Sequence, residues 1–510
     1  MTTDILAAAD CAACDRYAVE NGVMSQSLMR KAGEAVATAI RTRWAPRPVL
    51  VLAGPGNNGG DGLIAAASLR ESGWPVRVVL FAEPASLTDD AAWAFGVWGE
   101  AVERAHGVDI DKTGLVVDAL FGAGLSRAIS GDAARWIEQL QRARTPQRGR
   151  AVPVIAVDLP SGVAGDAHMS EGSVLTADLT VTFHARKLAH LIEPFAGLCG
   201  EVVCADIGIP DGWQQLVAPI AQEVVAPDWP AARSTGGGDH KHQRGRVAVF
   251  SGGASATGAA RLAARAALRA GSGLVTVCSP PSAHLVNAGH LTAAMLTRWD
   301  GAADTARVLA DLRAQSAVLG PAMGVGDGSR ESVLSALSTG LPLVLDADAL
   351  TSFADTPDIL FDALHPACVL TPHQGEFDRL FAHRLRRGSK FDRAVGAAGL
   401  AGCTVLLKGP ATVIASPGRV PFINRHASAW LATAGSGDVL AGMIASGLAS
   451  GLSPHDAAAG AAWLHGAAGR RLGAGLIAED LPEELPVVLQ ALRRRRQREA
   501  VHSHLLSHGS

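Results

Sequence analysis

Short aliphatic runs alternate along this chain with longer amphipathic stretches. The runs at 49–53, 76–81, 115–119, 154–157, 179–183 and 202–205 are rich in Val, Leu and Ile. Runs of this kind, separated by helix-length segments, predict strands of a parallel sheet buried on both faces. Ahead of them, Leu28, Ala32, Val36 and Ile40 recur every four residues. That stripe predicts a helix capped by Ser27 and closed by Pro46 and Pro48. The pattern then restarts, with strand-like runs at 247–250, 274–278, 317–319, 343–345, 369–370 and 405–407. Helical patterns at 257–270, 331–339, 439–447 and 455–472 fall between or after them. Pro227-Asp-Trp-Pro230 and the Gly-rich 234–242 separate the two sets, as a linker or entry loop does. The boundary is expected near 215–230, giving two α/β domains over 1–215 and 216–495. A basic, His-bearing tail over 496–510 reads as a solvated helix end.

Composition agrees with two packed domains. The 510 residues are 48% hydrophobic and 18% charged, against roughly 25% charged in an average globular protein. Disorder is excluded on that balance. A net charge of −3, from 45 basic and 48 acidic residues, gives no pull toward nucleic acid or an anionic membrane. The first residues include Asp4 and Asp10 and no apolar leader core, so a soluble cytoplasmic protein is expected. Seven cysteines, including the pairs Cys11/Cys14 and Cys199/Cys204, read as unpaired structural thiols rather than a zinc site.

Candidate chemistry gathers where strands end. After 49–53 comes Gly54-Pro-Gly-Asn-Asn-Gly-Gly-Asp-Gly62, with a helix expected from near Leu63. Glycines let backbone approach a phosphate, and a helix start offers free N–H groups. A glycine turn alone would also serve plain strand-to-helix packing. Two more strand ends, at Asp118 before a second glycine loop and at Asp158 with Ser161, add oxygen ligands at the same edge. Together they describe a pocket for a hard cation and a phosphorylated ligand.

The strings GPGNNGGDGL, VVDALFGAGLSR, DLPSG, the Thr182-Phe183…Lys187 stretch and CGEVVCADIGIP resemble the NAD(P)H-hydrate epimerase domain of the YjeF family, over about residues 10–210. The resemblance implies a doubly wound, Rossmann-like domain and a potassium ion. By it, Asn57, Asn58, Gly59, Gly60 and Asp61 bind the hydrated nucleotide. Asn58, Asp118 and Ser161 hold the cation, and Gly122, Ala123, Gly124, Leu125, Ser126, Arg127 and Ala128 cradle phosphate. Asp158 faces the nicotinamide ring and shuttles the proton.

In the second half, Ala432-Thr-Ala-Gly-Ser-Gly-Asp-Val-Leu-Ala-Gly442 places a carboxylate beside a glycine-rich helix start. That arrangement suits activation of a hydroxyl for attack on a phosphate. Lys408-Gly-Pro-Ala-Thr412, His373 and the Asp346-Ala-Asp348 segment stand at further strand ends. The strings VLGPAMG, DADAL, LTPHQGEF, LKGPATVIA and ATAGSGDVLAG resemble the ribokinase-like fold, and more closely the ADP/ATP-dependent NAD(P)H-hydrate dehydratase. By that resemblance Lys408, Gly409, Pro410, Ala411 and Thr412 bind the adenine nucleotide. So do Ser428, Ala429, Trp430, Leu431, Ala432, Thr433, Ala434, Gly435, Ser436 and Gly437. Ala259, Gly324, His373 and Asp438 contact the hydrated dinucleotide, with Asp438 as base and magnesium accompanying ADP. The stretch 424–430 departs from the Gly- and Pro-rich form associated with many members.

The joint reading is a bifunctional repair enzyme: the first half interconverts R and S hydrated cofactor, and the second dehydrates the S form using ADP. Loop residues do not separate ADP from ATP, or hydrated NADH from hydrated NADPH. Expected partners are these small molecules and further copies of the chain, with neither nucleic acid nor membrane. A ribokinase-type kinase of hydroxymethylpyrimidine or thiazole would share the GxGD string but leaves the Asn57–Asp61 loop unexplained. A non-catalytic N-terminal binding module leaves the Asp61, Asp118 and Asp158 set unexplained.

Overall fold

The computed structural model describes residues 3–105, 112–125, 128–143, 152–167, 172–233, 241 and 243–507. Side chains of 143 and 500–507 lie outside the description. Ser126, Arg127 and His242 also fall outside the described residues. The chain divides into two compact units, Met1–Gln222 and Glu223–Ser510.

Unit 1 opens with β1 (Asp4–Ile5), α1 (Ala8–Glu20) and α2 (Ser25–Arg41), followed by β2 (Val49–Ala53), α3 (Asn57–Glu71) and β3 (Val76–Leu80). Next come α4 (Asp89–Trp98), β4 (Glu103–Arg104), β5 (Leu115–Ala119), α5 (Gly131–Ala143) and β6 (Val154–Val157). It closes with β7 (Leu179–Phe183), α6 (Phe195–Leu198) and β8 (Glu201–Ala205), and β9 (Ala221–Glu223), which pairs antiparallel with β1, runs over its last residues into the first of unit 2. Seven strands form one parallel sheet in the order β4-β3-β2-β5-β6-β7-β8. Period-two alternation sends Val49, Val51 and Ala53 into a core with α2, α3 and α4. Leu50 and Leu52 enter the opposite core with Trp136, Ile137 and Leu140 of α5. The sheet is therefore doubly wound, as the continuous apolar runs require.

Two local expectations are corrected. Met24, not Ser27, precedes α2, and Ser27 sits in its first turn. Likewise, α3 begins at Asn57, not near Leu63, so the Asn-Asn-Gly-Gly-Asp run is itself helical. Close packing explains glycines in a helix: a Cβ on Gly59 would lie 1.9 Å from the Gly54 carbonyl oxygen, and one on Gly62 would lie 2.4 Å from Ala119 Cβ. The helix thereby seats its N-terminus directly on the sheet edge.

Unit 2 begins with β10 (Arg246–Phe250), α7 (Gly258–Ala270), β11 (Leu274–Ser279), α8 (Pro281–His290), β12 (Met295–Arg298) and α9 (Ala302–Asp311). It continues through β13 (Ser316–Leu319), α10 (Asp327–Leu337), β14 (Leu343–Leu345), α11 (Asp348–Thr351), α12 (Pro357–Ala363) and β15 (Val369–Leu370). Then follow α13 (Gln374–Phe381), α14 (Lys390–Ala401), β16 (Thr404–Leu407), β17 (Thr412–Ala415) and β18 (Phe422–Asn424). Three helices end it: α15 (Ser436–Ala449), α16 (Pro454–Leu472) and α17 (Asp480–Ser507). Its strands run β18-β17-β16-β15-β14-β13-β10-β11-β12, parallel from β16 to β12 with an antiparallel β16-β17-β18 flank. On one face α7, α15, α16 and α17 bury a largely Ala, Val and Leu core. A Cβ on Gly442 would stand 2.1 Å from the Ala263 carbonyl, so α15 lies tight on α7. Helix α17 continues through the basic segment after 492, where Arg496 pairs with Asp228. Among the described residues no helix is long and apolar enough to cross a membrane.

Candidate functional site

In unit 1 the loops after β2, β5, β6 and β7 converge. A Cβ on Gly54 would collide with the Leu120 carbonyl at 2.1 Å, so the first glycine lets two loops touch. Asp158 follows β6 with a left-handed φ of 65°, which turns its carboxylate back over the sheet edge. Its Oδ1 accepts from Lys187 Nζ at 2.6 Å and Thr182 Oγ1 at 2.9 Å, and Oδ2 accepts from the Ala123 amide at 2.9 Å. Lys187 Nζ also donates to Thr182 Oγ1 at 2.9 Å. Burial is the largest single influence and pushes the Asp158 carboxyl up, but the Lys187 charge and hydrogen bond, His190 and the Ala123 amide together hold the group down near 2. The partner effect is reciprocal: burial disfavours the Lys187 charge, and Asp158, with Cys11 and Cys204, more than restores it, raising its pKa. His190 lies 2.8 Å from the Asp158 carbonyl through Nε2 and accepts the Lys187 amide at Nδ1; burial lowers it to about 4, so the ring is neutral.

Asp118 and Ser161 form a second buried cluster. Ser161 donates from Oγ to Asp118 Oδ1 at 2.6 Å and from its amide to Oδ2 at 2.7 Å. Burial raises Asp118 to about 6 despite these donors. Nearby, Asn58 Nδ2 is buried without a hydrogen-bond partner. A Cβ on Gly122 would lie 2.9 Å from Asn58 Oδ1 and 3.0 Å from Asp158 Oδ2, so Gly122 leaves a hollow between them. Asn57 and Asp61 line a cavity of about 360 Å³ with Asp15, Arg16 and Asp90. Burial, with Asp158, Asp15 and Asp90 around it, pushes Asp61 well above the usual carboxylate range. Gly59 and Gly60 are buried packing positions beneath it. Gly122, Ala123, Gly124 and Leu125 form a turn closed by the Leu125 amide on the Gly122 carbonyl at 3.2 Å, and Ala128 is exposed. Lys187, Thr182, His190 and Asp15 were not assigned roles from sequence. The thiols of Cys11 and Cys14 are raised to about 11 and about 12, chiefly by burial, and all seven cysteines are free.

In unit 2 the ends of β14 and β16 supply Asp346 and Lys408, joined at 2.8 Å. Glu376 Oε2 stands 4.0 Å from Lys408 Nζ. Asp438 occupies the first turn of α15. Burial, with Asp346 and Asp348, raises it to about 6 against the pull of Lys408. Gly435 precedes the helix at φ +86°, and a Cβ there would press Leu262 at 2.7 Å and Ala478 at 3.0 Å. A Cβ on Gly437 would lie 3.4 Å from Lys408 Nζ and 3.7 Å from Asp346 Oδ2, so the loop, the lysine and the acid share one space. Ser436 Oγ donates to the Leu431 carbonyl at 2.7 Å, tying the helix start to the turn Ala429–Leu431.

His373 caps α13 through Nδ1, which accepts the Gly375 amide at 2.9 Å. Its ring remains 56% exposed, with Nε2 3.4 Å from Glu376 Oε1. Gly324 donates its amide to Asp348 Oδ2 at 2.8 Å, and Ala259 lies in the first turn of α7. Lys390 Nζ holds the 408–412 turn by donating to the carbonyls of Lys408 at 3.0 Å and Ala411 at 2.6 Å. Gly409 and Pro410 are exposed, and Thr412 opens β17, donating to the Gly409 carbonyl at 3.1 Å. Ser428 Oγ accepts the Trp430 amide, Trp430 is 53% exposed, Ala432 and Ala434 are exposed, and Thr433 accepts the Ser436 amide. Asp346 and Glu376 went unassigned from sequence, although both lie in motifs singled out there.

Both units thus have the organisation of α/β enzymes whose sites form at the carboxyl ends of parallel strands. A family model described as NAD(P)H-hydrate dehydratase matches residues 247–490. One described as YjeF-related protein N-terminus matches residues 25–189. The bifunctional NAD(P)H-hydrate repair enzyme of Moorella thermoacetica is 36% identical, covering 96% of this chain and 97% of that protein. The Salinibacter ruber enzyme of the same description is 34% identical, covering 95% and 96%. The solved ADP/ATP-dependent NAD(P)H-hydrate dehydratase from Bacillus subtilis is 26% identical over 52% of this chain and 99% of that one, with a TM-score of 0.44. The chain belongs to the bifunctional NAD(P)H-hydrate repair enzyme family.

Proposed function

We propose that the chain repairs hydrated NADH and NADPH, unit 1 interconverting the R and S epimers and unit 2 dehydrating the S form with ADP as phosphoryl donor. The carrying observation is Asp438, a carboxylate near 6 at a helix start, sharing its space with the Lys408–Asp346 pair.

Hydroxide leaves a saturated C6 poorly. Asp438 accepts the 6-hydroxyl proton as that oxygen attacks the β-phosphorus of ADP, and AMP departs. Lys408 and the amides of Gly435, Ser436 and Gly437 offset the charge gathering on the phosphoryl oxygens. The ring nitrogen lone pair then expels phosphate, and loss of a C5 proton restores the reduced ring. Lys408–Thr412 and Ser428–Gly437 hold the adenine nucleotide, while Ala259, Gly324 and the exposed ring of His373 position the dinucleotide. Carboxylate oxygens suit magnesium, and Asp346 and Glu376 would hold that ion on the ADP phosphates, where it neutralises charge.

In unit 1 the ring nitrogen expels the 6-hydroxyl, and water re-adds from either face. The ionised Asp158 accepts a proton from the incoming water and returns it to the departing hydroxide. Asn57, Asn58 and Asp61 bind the nucleotide, and the Gly122–Ala128 loop takes phosphate. Potassium fits the remaining donors. Asp118 is a buried carboxylate raised to about 6 by burial, and Asn58 brings a carbonyl oxygen, Oδ1, to the Gly122 hollow. Asn58, Asp118 and Ser161 would hold the ion, which supplies the positive charge this pocket needs. The free cysteines fit a reducing cytoplasm.

Incubation with the S epimer of hydrated NADH and ADP, following recovery of reduced-nicotinamide absorbance, tests the reading. Recovery without ADP, or none with it, contradicts it.

A further inference from the structure

The two oxygens of Asp158 are not equivalent. Oδ1 is saturated by Lys187 Nζ and Thr182 Oγ1, which are themselves joined. Oδ2 has one donor, the Ala123 amide, and a carboxylate oxygen accepts two. That oxygen borders the hollow at Gly122, opposite Asn58 Oδ1. Lys187 is 3% exposed and Thr182 is fully buried, so neither reaches a ligand on the open side as the site stands. His190 braces both partners from behind, holding the Asp158 carbonyl and the Lys187 amide with one neutral ring.

We propose that Lys187, with Thr182, is a positioning residue that anchors Asp158 through Oδ1 and leaves Oδ2 as the working oxygen, aimed into the Gly122 hollow where the reacting ring carbon is held. The inference rests on the epimerase reading of unit 1 and assigns a division of labour within it. A buried ammonium–carboxylate contact fixes a carboxylate's rotation as well as its charge. A free Asp158 would rotate, bringing either oxygen to the hollow and losing the alignment that proton transfer needs.

The test uses the full-length chain with purified R epimer and compares Lys187→Met, Lys187→Arg and Thr182→Val. In Lys187→Met, kcat for epimerisation is expected to fall roughly 10²-fold with KM changed by less than about threefold. Lys187→Arg, which keeps the charge and a donor, recovers part of that loss. Thr182→Val removes one anchor without stranding a charge and lowers kcat by roughly tenfold. Because Lys187→Met alone strands a buried carboxylate, Lys187→Met/Asp158→Asn is melted beside it. Recovered stability in the double variant gives the cost of the stranded charge, and a kcat loss in Lys187→Met at a temperature where it stays folded separates positioning from folding. Unchanged kcat in Thr182→Val, or Lys187→Arg no better than Lys187→Met, overturns the proposal. Absence of epimerisation in the unaltered chain overturns instead the function on which it rests.

Discussion

Lys408 Nζ lies 2.8 Å from Asp346 Oδ1 although the two residues are 62 positions apart and stand at the ends of strands separated by β15. Asp346 is 3% exposed and Lys408 is 21% exposed, so this pair is largely withdrawn from water beneath the start of α15. Lys408→Met would strand the Asp346 carboxylate and leave Glu376 without its nearby cation. Melting of unit 2 is expected to show a loss of roughly 3–5 kcal/mol, with weaker ADP binding. Lys408→Met/Asp346→Asn should recover most of the stability and none of the ADP affinity.

The dehydration rate should titrate with Asp438. Its pKa is raised to about 6 by burial, Asp346 and Asp348, so the carboxylate is protonated below that pH and cannot accept the hydroxyl proton. The kcat for dehydration is expected to rise by about tenfold per pH unit below 6 and to level off above 7. Asp438→Asn should lack this limb. A profile flat from pH 5 to 8 in the unaltered enzyme contradicts the assignment.

Gly122 is expected to be intolerant of a side chain for a local reason. A Cβ there would stand 2.9 Å from Asn58 Oδ1 and 3.0 Å from Asp158 Oδ2. Gly122→Ala should therefore lower epimerisation by roughly 10²-fold and leave dehydration of the S epimer unchanged, as steady-state assays on separated epimers would show.

Replacing potassium by lithium should slow epimerisation and not dehydration. Asp118→Asn, which removes the buried carboxylate, should abolish that cation dependence. Equal epimerisation rates in the two salts would remove the ion from the account.

Much of this was legible because strand ends advertise themselves. Val49–Ala53 and Leu115–Ala119 are apolar at every position and are buried at every position, so the residues that follow them had to lie at one edge of the sheet. The half-exposed edge strands β4 and β12 and the mostly buried hairpin β17–β18 escaped, since a run of two to four residues carries no period to read. The start of α3 was misplaced because glycine disfavours helices locally, while contacts of Gly59 and Gly62 with distant backbone and side chain demand it there. The Lys187–Asp158 pair was hidden for a different reason. It arises from the register of β6 on β7, which pairs Val157 with Val181 and so sets Asp158 beside Thr182, and no spacing along the chain records that register.

The most direct measurement supplies pure R epimer of hydrated NADH, with ADP and potassium, to the unaltered enzyme, to Asp158→Asn and to Asp438→Asn, while cofactor and epimer ratio are followed together. The unaltered enzyme should restore all the cofactor. Asp158→Asn should stall on the R form yet still consume added S form, and Asp438→Asn should equilibrate the epimers and restore cofactor at least roughly 10²-fold more slowly. R epimer left untouched by the unaltered enzyme, or consumed equally fast by Asp158→Asn, would contradict the account.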